Sequence, residues 1–118
     1  DGPSLNRAGA RLLEMTSAEA VLITRGSQGM SLFTRDGEPF HLPASNRTEV
    51  ADPTGAGDTV AATFTLAIAA TAGAPQPNRF RDAAILANLA AGLVVQRLGC
   101  ATNTPAELAA AVNAKISD

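Results

Sequence analysis

Residues 59–73 read TVAATFTLAIAATAG, about four helical turns without one charged side chain. A helix with no polar face has to be covered on most of its sides. A chain of 118 residues has little with which to cover it. The same demand arises upstream. AVLIT at 20–24 is a continuous apolar run, the pattern of a strand buried in a sheet that is covered on both faces.

The remaining segments decide how much cover is available. SLNRAGARLLEMT (4–16) sets Leu5, Leu12, Leu13 and Met15 around a short amphipathic helix. MSLFT (30–34) and EPFHLP (38–43) are joined through Asp36-Gly37, a hairpin signal, and NRTEV (46–50) suits another short strand. The apolar helix runs from Gly55 to about Ala72, where Gly73 and Pro75 end it. A second helix is expected over 79–97, with Leu86, Leu89, Ala90, Leu93 and Val94 at core spacing and Gly99 as its stop. A third runs from Thr104 to about residue 116, with Thr104 as N-cap and Pro105 at the first helical position. The order is helix, strand, hairpin, strand and three helices. It supplies too few strands to flank 20–24. The expectation is an α/β fold with an incomplete sheet, residues 1–118 forming a single partial domain of a larger protein.

Composition narrows the functions. Hydrophobic residues make up 46% and charged residues 17%, which suits a globular rather than a disordered chain. Nine basic against 11 acidic residues leave a net charge of −2, and Lys and Arg form no cluster, so no nucleic-acid partner is expected. Four Phe without Trp or Tyr provide no base-stacking platform. A single cysteine, Cys100, cannot form an internal disulfide and reads as an ordinary buried thiol in a reducing compartment. No apolar stretch reaches membrane-spanning length and the first residues do not read as a signal peptide, so the expected location is the cytoplasm, away from membranes. His41, in a hairpin strand, reads as structural or exposed.

One stretch carries chemistry. ADPTGAGDTVAATF (51–64) places two glycines at the start of the apolar helix and Asp58 in its first turn. There a carboxylate suits the helix dipole, and free N–H groups suit an anion. A helix cap without chemistry explains the same residues.

DPTGAGDT (52–59) resembles the C-terminal signature D-x-x-G-A-G-D of the ribokinase-like, or PfkB, carbohydrate kinases. VLITRGSQG (21–29) is similar to the strand and turn that handle nucleotide in that family, and ANLAAGLVVQRLGCAT (87–102) to the late helix and loop that close over the adenine. Three ordered blocks cover nearly the whole chain. The resemblance implies the C-terminal part of a ribokinase-like, Rossmann-like, three-layer α/β/α fold. It implies ATP-dependent phosphoryl transfer to a sugar hydroxyl, with ATP, Mg2+ and K+ as cofactors.

By the same resemblance, the N–H groups of Gly55, Ala56 and Gly57 hold the transferred phosphate, and Asp58 is the general base. Thr24, Gly26 and Gly29 contact the nucleotide, Asn88 lies beside the adenine, and Asp52 and Thr54 sit near a monovalent cation. Plainer readings stand beside these. The residues at 24–29 could form only a strand-ending turn, Asn88 could be a solvated polar residue, and Asp52 a turn former.

TRGSQGMSLF (24–33) and the following LPA (42–44) are similar to the kinase domain of bifunctional heptose 7-phosphate kinase/heptose 1-phosphate adenylyltransferases of lipopolysaccharide-core synthesis. Ribokinase, fructokinase and phosphofructokinase relatives remain open. The family's glycine-rich sugar-binding motif and lid strands have no counterpart in these residues, and no nucleotidyltransferase signature follows residue 97. The nucleotide half alone is therefore expected to be inactive by itself, and its apolar surfaces to drive homo-oligomer formation. A non-catalytic nucleotide-binding or interaction module derived from the same fold is the competing expectation.

Overall fold

The computed structural model describes residues 2–45, 55–73, 78–95 and 104–117. Helix α1 (Gly2–Met15) leads into strands β1 (Ala20–Thr24), β2 (Met30–Thr34) and β3 (Phe40–Leu42), followed by helices α2 (Ala56–Ala70), α3 (Arg79–Val95) and α4 (Pro105–Ser117). The expected strand at 46–50 and Cys100 lie outside the described residues.

The three strands form an antiparallel sheet in the order β1-β2-β3. Thr24 pairs with Met30 at one end and Ala20 with Thr34 at the other, while Met30 to Leu32 pair with Leu42 to Phe40. The hairpin expected around Asp36-Gly37 is present. Because side chains alternate across a strand, Met30 and Leu32 share one face and Ser31 and Phe33 the other.

Each face has its own helices. On the first, Met30 belongs to an apolar cluster with Val60 of α2 and Ala87 of α3, joined by Leu22, Leu42, Phe64 and Ala91. On the second, α1 lies so close that a Cβ on Gly9 would run into the Phe33 ring. Ser31, fully buried there, shares a hydrogen bond of 2.6 Å with His41 Nδ1, and His41 meets Phe33 edge-on. The result is three layers, α/β/α.

Three expectations need correction. β1 is only half-buried, whereas Met30 to Phe33 of β2 are buried. The central strand is β2, and among the described residues β1 is paired on one side only. On α1, Gly9 and Leu13 face inward while Leu12 and Met15 are 41% and 67% exposed. The buried positions of α3 are Ala83, Ala84, Ala87, Asn88, Ala90, Gly92 and Val94, with Leu86, Leu89 and Leu93 at the flanks. The sheet and α2 both press on α3, and the mostly small residues of its buried face leave room for that approach.

The ends of the elements are tied down by side chains. Arg35 donates to the carbonyls of Leu13, Thr16 and Ala18 at 3.0, 2.8 and 2.9 Å, taking up acceptors at and beyond the end of α1. Arg79 joins α3 to the end of α2 through Ile68 O (2.7 Å) and Thr71 Oγ1 (3.0 Å). Thr104 caps α4 as expected. Its hydroxyl accepts from the Glu107 N–H, and its own N–H donates to Glu107 Oε1, a capping box that T-P-A-E already spells. No helix among the described residues is long and apolar enough to cross a membrane.

Candidate functional site

Gly55 sets up the start of α2. Its φ of 84° and ψ of −6° are left-handed, a conformation that a residue with a Cβ reaches only at about 1–2 kcal/mol. The chain then enters the helix at once, and the N–H of Thr59 closes onto the Gly55 carbonyl at 3.0 Å. Among the described residues no side chain caps this end, which leaves the first-turn N–H groups without an intrahelical acceptor. Asp58 is exposed in that turn and has no hydrogen bond or ion pair among the described residues. Gly57 is exposed too, and a Cβ built on it meets nothing within 4 Å. Packing among the described residues therefore gives no reason for glycine at this position.

The second part of the site follows β1. Thr24 ends the strand exposed, and one 3-10 turn (Gly26–Gln28) reverses the chain into β2. The turn is held by Arg25 N–H to Gly29 O (2.8 Å), Gln28 N–H to Arg25 O (3.1 Å) and Gly29 N–H to Gly26 O (3.1 Å). The Arg25 guanidinium adds a bond of 2.7 Å to Gln28 Oε1. The two glycines differ in what they require. Gly26, at φ 59°, faces open space. Gly29, at φ 90°, has no room for a side chain, because a Cβ would collide with the Leu42 carbonyl oxygen and press on Pro43 and Ala44.

Both parts lie at the same end of the sheet. Met30 directly follows Gly29 and pairs with Thr24, and it packs with Val60 in the second turn of α2. Asn88 is also at this end, though it is not solvated. It is nine-tenths buried, its Nδ2 donates to Pro43 O at 2.8 Å, and its backbone carbonyl accepts from Ser45 Oγ at 3.0 Å. That bridge to the strand exit had no signal in the sequence. Asp52 and Thr54, expected near a monovalent cation, lie outside the described residues. Elsewhere among the described residues no group of three His, Cys, Asp or Glu is placed to hold a metal.

An open cleft of about 690 Å³ lies at the opposite end of the sheet, with Leu32, Phe40, Phe80 and Arg81 among its lining residues. None of the candidate residues borders it. Arg81 stacks over the Phe40 ring there at 4.6 Å, a packing role for that charge.

Comparison with known proteins decides what this arrangement belongs to. The profile of the pfkB family carbohydrate kinases matches residues 2–107, nearly the whole chain and both parts of the site. The chain belongs to the pfkB carbohydrate kinase family. Among the family's curated proteins, the bifunctional protein HldE of Geobacter metallireducens is 48% identical over 118 residues, all of this chain and 23% of that protein. HldE of Caulobacter vibrioides is 54% identical over 104 residues, covering 87% of this chain and 20% of its own length. The chain thus spans about a quarter or less of the length of these pfkB relatives. Among solved structures, Arabidopsis thaliana ribokinase complexed with ribose and ATP superposes with a TM-score of 0.76 at 26% identity, over 91% of this chain and 33% of that one. Phosphofructokinase-2 from Escherichia coli in complex with potassium shares the fold, with a TM-score of 0.76 at 16% identity over 97% of this chain and 34% of its own. The α/β/α layering found here is a partial ribokinase-like fold.

Proposed function

We propose that this chain is the nucleotide- and phosphate-binding portion of a longer ATP-dependent sugar kinase. The observation that carries the reading is the start of α2. There a left-handed Gly55, an exposed Gly57 and an exposed Asp58 carboxylate sit together, at the same end of the sheet as the 24–29 turn.

Phosphoryl transfer needs positioning and charge stabilisation more than covalent help from the protein. The N–H groups of Gly55, Ala56 and Gly57 suit the transferring phosphoryl group, whose oxygens they would hold as charge shifts toward the leaving nucleotide. Asp58 takes the proton of the attacking sugar hydroxyl as its oxygen bonds to phosphorus and the bond to the departing diphosphate breaks. Thr24, Gly26 and Gly29 contact the nucleotide. Mg2+ would be held through the nucleotide phosphates and would offset their charge, and Asp52 and Thr54 would be the residues near K+. The HldE relatives favour a heptose 7-phosphate as acceptor. The protein acts in the cytoplasm, where ATP is supplied, and as a homo-oligomer.

The test is an assay of the full-length protein with ATP, Mg2+ and a panel of acceptors that includes heptose 7-phosphate, ribose and fructose 6-phosphate. Asp58→Asn keeps size and helix start but removes the base, so kcat should fall by about 10²–10⁴ while nucleotide affinity is held. A loss below about tenfold is too small for a general base and rejects the assignment.

A further inference from the structure

The residues around Asn88 form a mechanical link that the expected adenine contact does not explain. Its amide is spent inside the protein, donating to Pro43 O at 2.8 Å from a side chain that is nine-tenths buried. Ser45, two residues on, donates back to the Asn88 carbonyl at 3.0 Å. Segment 42–45 is thereby fastened to the middle of α3 from both sides of Ala44. The other surface of that segment carries the 25–29 turn, since Gly29 presses on Leu42, Pro43 and Ala44 closely enough to exclude a Cβ. The neighbouring residue of α3, Ala87, packs with Val60, which seats the start of α2. Two adjacent residues of one helix therefore reach both halves of the site. Ala87 reaches the phosphate end, and Asn88 reaches the nucleotide turn through Pro43.

We infer that Asn88 is a positioning residue, which sets the 25–29 turn at a fixed offset from the N-terminus of α2 by holding the Pro43 carbonyl. This rests on the kinase reading for its functional consequence, but the link itself does not. The inference also separates two roles for one residue. A side chain touching the base would discriminate between bases. One that acts through Pro43 shifts the affinity of every nucleotide alike.

The experiment compares wild type, Asn88→Ala, Asn88→Asp and Ser45→Ala in the full-length protein. Hydrogen exchange first reads the link without reference to any activity. The amides of Arg25, Gln28 and Gly29, which close the turn, should exchange faster in both Asn88 variants, with α1 unchanged. Unchanged exchange at these three amides overturns the inference. Kinetics then read the consequence. KM should rise about tenfold for ATP and by the same factor for GTP, with kcat and the KM for the sugar held. A changed ATP-to-GTP ratio means direct base contact and rejects the positioning role. A lower melting temperature with KM unmoved means that the bond is structural only, and rejects it as well. Ser45→Ala removes one part-buried hydrogen bond from an exposed residue, so it keeps the test readable if the Asn88 variants do not fold, and should move KM about twofold in the same direction. If the turn loosens while the wild type transfers no phosphate, the kinase reading fails and the link stands.

Discussion

Glycine at position 57 separates what the fold needs from what a ligand needs. Among the described residues nothing beyond its own helical turn lies within 4 Å of an added Cβ there, and alanine is a better helix former by about 1 kcal/mol. Gly57→Val should therefore leave the melting temperature close to wild type while weakening ATP binding, as read by calorimetry, because the branched side chain occupies the approach to the first-turn N–H groups. Unchanged affinity would return GAGD to a simple cap. Gly29 is the contrasting case, a glycine fixed by the Leu42 carbonyl rather than by a ligand. In RGSQG the two kinds look alike. The sequence pattern shows where chain reversal occurs, but which glycine faces solvent and which faces backbone depends on β3, which arrives from ten or more residues away. The same distance hid the Asn88–Pro43 bridge, since neither residue type announces the other.

Among the elements, local signals were read well and long-range ones poorly. The starts of α2 at Gly55 and of α4 at Thr104 follow from residues acting within one turn, α2 ends at Ala70 shortly before Gly73, and the hairpin follows from Asp36-Gly37. The buried face of α1 was read only in part: Leu13 is buried as its spacing suggested, but the face is set by the closeness of Phe33 to Gly9, which leaves Leu12 and Met15 exposed. Arg35 shows how such a helix is secured. Its guanidinium serves the carbonyl of Leu13 in the last turn of α1 and those of Thr16 and Ala18 just beyond it, where intrahelical donors run out. Because this group is largely exposed, the net contribution is modest. Arg35→Ala should cost about 1 kcal/mol, seen as a lower urea midpoint with the same slope. Arg35→Lys should recover only part of it, since one ammonium cannot reproduce the planar fork.

For the molecule as a whole, the apolar helix that constrained the sequence most is the least satisfied element. Of the residues of α2 only Val60 is buried; the helix packs on α3 and leaves Ala61, Ala62, Thr65, Leu66, Ala69 and Ala70 exposed, Leu66 to 69%. Soluble monomers rarely tolerate contiguous apolar patches beyond a few hundred Å². The 118-residue chain in isolation should therefore self-associate, with light scattering giving a mass above 12.0 kDa that falls on dilution. A monomer at every concentration would show that the exposed α2 face is tolerated in water. The demand for cover was legible in residues 59–73, and so was the α/β class. What provides that cover was not, since an apolar surface specifies that it is to be buried and not by what.

The sheet has a consequence for how the chain folds. Its strands run in sequence order, each antiparallel to the one before, so every pairing closes only the short connections at 25–29 and 35–39. Hairpins of this kind form in roughly 1–10 μs, well before distant helices can dock. The meander can thus choose its register while still bare. The choice has one safeguard. A slip by one residue would exchange the faces, turning Ser31 toward the apolar cluster and Met30 toward α1, so the docking helices would reject the slipped sheet rather than lock it in. Early speed and late proofreading are in this way assigned to different parts of the same short chain.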